Sequence, residues 1–260
     1  MLMRKTEKPL RGRGIPAPTG RDKNVAPTYC VWRFVILCCA LSSTTHAQMA
    51  RSPLYRPPVA NAPVVRVDGH TRGGDDVILT LTVLAPEHVG LTTHEQPCLF
   101  WCQSRTTKSR FELTISQPRK SEPLVEVKLD EPQNDGIRQF CLAEHNVRLK
   151  PDVEYRWTVA LVVDPENRSK DVIASGAIKR VAPSASLTKR LEGAPTTEQA
   201  FIFADEGFWY DSMQALSNQI DQQPEQKALR EQRGIFFLQV GLPEAARHEF
   251  RMAGVTKTSK

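Results

Sequence analysis

Val77-Ile-Leu-Thr-Leu-Thr-Val-Leu84 alternates Val77, Leu79, Leu81 and Val83 against Ile78, Thr80 and Thr82, and a period of two puts one set on a buried sheet face. Six further β-like runs follow at residues 97–103, 110–116, 124–129, 137–142, 153–163 and 172–180, separated by Pro, Gly, Asn and Asp. Beyond Pro183 the pattern changes: Leu, Ala, Gln and Glu dominate, and helices are predicted to the end.

Seven short strands in about a hundred residues, joined without helices, predict a fibronectin type III or immunoglobulin-like β-sandwich over residues 76–182. Leu149-Lys-Pro151-Asp-Val-Glu-Tyr155-Arg-Trp157 resembles the tyrosine corner of fibronectin type III domains. There a Tyr near the start of the sixth strand turns its hydroxyl back to the preceding loop, and Tyr155 falls on the sixth run. In such a sandwich the second and fifth strands are antiparallel neighbours, which sets Cys98 opposite Cys141 and Cys102 opposite about Ile137. Two outcomes stay open, a Cys98–Cys141 disulfide or three buried free thiols.

The helical segment, residues 183–260, carries an internal offset. Gly207 and Gly241 stand one tetratricopeptide period apart. Gly234, Phe237, Ala246, Phe250 and Ala253 surround the second at spacings that resemble that repeat, and Ala200, Phe203, Leu216 and Pro224 surround the first. Ser212 and Gln219 stand where Ala is expected, so the first copy is degenerate. Two stacked hairpins of this kind would offer a concave face to a protein partner, and a chain ending at Ala182 is expected to keep its sheets and lose that partner. Phe208-Trp209-Tyr210, the densest aromatic cluster, reads either as hairpin core or as an exposed interaction patch.

The 260 residues are 40% apolar and 25% charged, the composition of a folded protein, with a formal charge of +6. That excess lies in residues 1–47, where eight basic residues face only Glu7 and Asp22. The remainder is neutral, so no nucleic-acid partner is expected. Residues 34–41 form an apolar run behind Arg33, followed by small and polar residues up to Ala47, which reads as a signal peptide cut before Gln48. The run is less than half the roughly 20 residues a spanning helix needs, so no stable membrane anchor is expected. The stretch before it is long for a signal peptide and carries four prolines, so the true first residue is expected near Val25 or Val31. Residues 48–75 are rich in Pro and Gly and read as a linker.

Residues 84–97, 149–157, 163–171, 176–180 and 203–211 together resemble the bacterial domain of unknown function 928 family, over about residues 76–245. The resemblance implies an exported protein of Gram-negative type and carries no catalytic residues to transfer. Cys98, Cys102 and Cys141 depart from the apolar choices of that family. His88, His94, Cys98 and Cys102 lack the spacing of a zinc site, and Asp164, Glu166, Asn167 and Asp171 beside Pro165 read as a hydrogen-bonded turn. No catalytic, cofactor or metal residue is singled out. The sequence thus points to a periplasmic or secreted, non-enzymatic protein–protein adaptor. An exported enzyme such as a hydrolase, with its site between sandwich and helices, and a surface-associated structural component are the alternatives.

Overall fold

A computed structural model describes residues 52–58, 64–70, 79–129 and 134–255; the leader and its cleavage site lie outside the described residues. Among the described residues nine strands form two sheets: β1 (Gly69–His70), β2 (Thr80–Val83), β4 (Cys98–Gln103) and β7 (Gly136–Cys141) in that spatial order, and β3 (Gly90–Thr92), β9 (Val172–Arg180), β8 (Glu154–Leu161), β5 (Phe111–Ser116) and β6 (Val125–Leu129) in the second. All pairs are antiparallel except β3 with β9. Each of the seven sequence runs holds one strand. The strands β1 and β3 are additions, only two and three residues long, too short to show a period.

Five helices follow, α1 (Ala185–Leu191), α2 (Thr196–Asp205), α3 (Trp209–Gln222), α4 (Lys227–Leu238) and α5 (Pro243–Ala253). Ser184 caps α1 by accepting the Leu187 N–H, and Gly207 and Gly241 close α2 and α4 at φ +82° and +69°, a region glycine enters without strain. Helix, glycine, helix therefore occurs twice in succession.

Alternation along β4 sorts the layers. Leu99 and Trp101 share a face with Leu81, Val83 and Phe140 and meet the five-stranded sheet, where Trp101 lies against Phe111. Phe100 and Cys102 point the other way, toward α3 and α5. One continuous core joins strand residues such as Leu81, Phe111 and Trp157 to helix residues such as Trp209, Leu216 and Phe237. This shared core bears on the expectation that the sheets stand intact without the helices. Removing residues beyond 182 would bare a face of the four-stranded sheet that now packs on helices.

Linker composition also misleads at its described residues. Tyr55 is buried with its ring edge-on to Trp209 and Phe236, the Arg56 N–H donates to Ala204 O at 3.0 Å, and the Gln239 side chain brackets Pro53 O and the Tyr55 N–H. Arg66, almost wholly buried, donates to Ala85 O, Val240 O and Gly241 O. Residues 52–58 and 64–70 thus strap the helices to the sheets, because a proline-rich segment satisfies few of its own backbone groups and finds partners elsewhere.

Candidate functional site

Helix α3 is fixed to the sheets by its first turn. Trp209 Nε1 donates to Leu84 O at 2.9 Å, and Tyr210 Oη accepts from Trp157 Nε1 at 2.8 Å while donating to Ala177 O at 3.0 Å. Asp211, buried, accepts from the Thr93 N–H at 3.0 Å and from the Thr93 hydroxyl, with His94 Nδ1 at 3.9 Å. Burial raises its carboxyl above the ordinary range, against the opposing pull of His94 and the Thr93 donors. Phe208, Trp209 and Tyr210 are all buried, which corrects their reading as an exposed patch: three large aromatic surfaces at the helix start are worth more against the sheets than in water.

The other residues singled out from the sequence lie as follows. Cys98 and Cys141 are register partners on β4 and β7 and are joined as a disulfide, whereas Cys102 faces Ile137 and is free and buried. Tyr155 Oη accepts the Lys150 N–H at 3.2 Å, Leu149 is buried beside it, and Pro151 bridges to Arg180 at the sheet edge. In the 164–171 loop, Asp164 takes the Glu166 N–H and Lys170 Nζ, and Asp171 takes Arg168, so these carboxylates are committed to a turn. Among the described residues no three His, Cys, Asp or Glu side chains gather where they could hold a metal ion, and no helix is long and apolar enough to cross a membrane.

A trough lies between the helix-facing side of the four-stranded sheet and α5. One part, about 680 Å³, has Thr80, Thr82 and Cys102 on its sheet wall and Ala246, Arg247 and Phe250 on its helix wall. The second part, about 820 Å³, runs beside β7 and has Ile137, Gln139, Ser217, Ile220 and Arg230 among its walls. Asp135, His248 and Arg251 line both parts. Arg251 donates to Asp135 at 2.8 Å and approaches His248 Nδ1 at 3.1 Å, so an ion pair stands between the two.

Electrostatics at the trough floor are set by α4 and α5. Arg233 and Glu249 are both buried and paired through two hydrogen bonds at 3.1 and 3.0 Å, with Ser217 Oγ accepting a third from Arg233. Arg230 approaches the same Glu249 at 3.7 Å, so two guanidiniums share one carboxylate. Burial pushes the Cys102 thiol up to about 12, which leaves it protonated and a poor nucleophile at neutral pH. Burial also pushes His248 below its ordinary range.

The sequence reading missed Arg66, Arg233, Glu249 and the Asp135–His248–Arg251 group. A signal existed for two of them: Arg233 continues the buried i, i+4 row Leu229–Arg233–Phe237, and Glu249 the row Ala245–Glu249–Ala253. A charge on an apolar row marks a buried pair. Arg66 and Asp135 carry no such mark, since Ala85, Val240 and Gly241 lie far from Arg66 in sequence and Arg251 lies far from Asp135.

Two sheets with a helical layer packed against both define a β-plus-α protein whose trough lies where the four-stranded sheet meets the helices. The model of the Domain of Unknown Function family (DUF928) matches residues 67–250, most of the chain, and the chain belongs to that family. No curated protein matches it.

Proposed function

We propose that the protein is an exported, non-enzymatic protein–protein interaction module, with the trough between the four-stranded sheet and α5 as its binding site. The observation that carries this reading is the trough itself: an open, mixed polar and apolar channel walled by a sheet and a helix pair, the setting in which segments of other proteins are held. Its thiol, that of Cys102, is weakly acidic, which counts against a cysteine nucleophile at this site.

Fold details support the finer reading. Counted as runs, the first, second and fifth strands share one sheet and the third, sixth and seventh the other, the partition of immunoglobulin-like sandwiches, with the fourth added beside the third. The Tyr155 hydroxyl turned back to Lys150 agrees with a tyrosine corner, and the two helix–Gly–helix units agree with tetratricopeptide-like hairpins. Export is favoured by the leader sequence and by the Cys98–Cys141 bridge, since disulfides persist in oxidising compartments.

A photo-crosslinking residue at Arg247, in the trough, compared with one at exposed Lys128 on β6, tests the reading in an exporting Gram-negative host. A discrete adduct from position 247 and none from 128 is expected. No adduct from 247, or hydrolytic turnover by the purified protein, would replace it.

A further inference from the structure

The backbone of β7 has a specific unmet requirement. The Leu142 N–H donates to Pro97 O at 3.1 Å, which makes that pair a hydrogen-bonded one in the β4–β7 register. Antiparallel pairs alternate between bonded and non-bonded, so Gly136, Arg138 and Phe140 turn their N–H and C=O groups toward β4. Ile137 and Gln139 turn theirs outward. Among the described residues β7 pairs with β4 alone, and β7 closes its sheet. The outward groups therefore form an open edge, and the larger part of the trough runs directly beside it.

The trough has a matching charge. Arg230, Arg233 and Arg251 line it with Asp135, Asp221 and Glu249, and Arg138, which the register sets on the Trp101 face of β7, borders it at the strand edge. Arg251 is matched by Asp135, and Arg230 and Arg233 divide Glu249 between them with Asp221 also present. Arg138, on β7 itself, donates to Asn134 O, so the one positive charge in excess among these groups sits at the open edge.

We propose that β7 accepts an extended, acidic peptide segment of the partner as an added strand, its backbone bonded to Ile137 and Gln139 and alternate side chains directed into the trough toward Arg230. This rests on the adaptor reading and names the chemistry of its ligand. Strand addition explains why an edge and a cleft coincide: the edge supplies sequence-independent hydrogen bonds, and the pocket reads every second side chain. A like-charged segment would be rejected by Arg230, which gives selectivity against basic peptides.

The probe is a short synthetic peptide alternating Glu with Val and Thr, its Lys counterpart, and free glutamate. Fluorescence anisotropy is read with the full protein, and amide hydrogen exchange is followed residue by residue. The Glu peptide should bind at least tenfold more tightly than the Lys peptide and slow exchange at Ile137 and Gln139, which free glutamate should not do. Gln139→Pro removes an outward N–H and leaves the β4–β7 ladder whole, since proline is tolerated at such edge positions, and should weaken binding at least tenfold. Arg230→Glu keeps the edge and should invert the peptide preference, so the test survives if the proline variant fails to fold. Equal binding of both peptides, absence of binding, binding without protection of Ile137 and Gln139, or protection by free glutamate would each overturn strand addition. Adducts from position 247 that persist in Gln139→Pro would leave the adaptor reading standing while removing this one.

Discussion

Trp157, in the middle of β8, donates its indole N–H to the hydroxyl of Tyr210, on the first turn of α3, at 2.8 Å, and both side chains are fully buried. Tyr210 passes the bond on to Ala177 O of β9. The helical layer is thereby tied to the five-stranded sheet by a polar chain in a dry interior, where each unmade bond leaves a desolvated group unsatisfied.

Tyr210→Phe is isosteric but orphans Trp157 Nε1 and takes one of its donors from Ala177 O. A loss of about 1–3 kcal/mol is expected, the cost of one unsatisfied buried donor. Urea unfolding followed by tryptophan fluorescence measures it. A variant as stable as the parent would mean that the layers are not coupled through this pair.

The disulfide closes a loop with a sequence separation of 43 between Cys98 and Cys141. Chain-entropy arguments give such a loop about 4 kcal/mol, lost on replacing both cysteines by Ala. Thermal unfolding of the double variant should show the drop. Non-reducing peptide mapping of the parent should find Cys102 as the one alkylatable thiol of the three, and only after denaturation, because it is buried.

The strands were readable because alternation is local: seven runs each hold a strand, and the register that opposes Cys98 to Cys141 follows from counting along two of them. The trough was not. Its walls come from β4, β7, α4 and α5, and no periodicity in any one element records which neighbour it faces. Nor did composition reveal the strap, since Tyr55 and Arg66 find their partners more than a hundred residues away, on α4 and at the α4–α5 turn. The aromatic triplet 208–210 was visible as a cluster, but Trp209 and Tyr210 are buried by tertiary contacts with Leu84, Trp157 and Ala177, and Phe208 in a separate cluster with Leu187 and Phe203, which a single sequence cannot place.

His248 gives a pH dependence with a defined sign. Burial lowers its proton affinity from the ordinary 6.5, outweighing Glu249, while Arg251, Asp135 and Arg233 act nearby. The unfolded chain then binds the proton more readily than the fold, so the contribution is fully present above about pH 6.5 and is lost as pH falls through the depressed folded value. Replacing His248 by Asn should flatten the fall in stability below pH 6.5 without abolishing it, because half-buried His88 shifts the same way. Denaturation midpoints measured at a series of pH values read the slope; an unchanged slope in the variant would assign the dependence elsewhere.

Gly207 and Gly241 both hold positive φ, yet their surroundings differ, and that difference tests the strap. A Cβ on Gly241 meets nothing closer than 3.6 Å, so Gly241→Ala carries only the conformational penalty, about 1–2 kcal/mol. A Cβ on Gly207 would stand 2.9 Å from Arg56 O, inside the strap that the Arg56 N–H ties to Ala204 O. Gly207→Ala must therefore push residues 52–58 off the helix or distort the α2–α3 turn, and it should cost at least about 1 kcal/mol more than Gly241→Ala. Unfolding free energies of the two variants give the comparison, and limited proteolysis adds a direct readout: cleavage near residues 52–58 should quicken in Gly207→Ala and stay slow in Gly241→Ala. Equal costs with equal proteolysis would mean that the segment does not bear on the turn, and that the helices are held by the Trp209 and Tyr210 contacts without it.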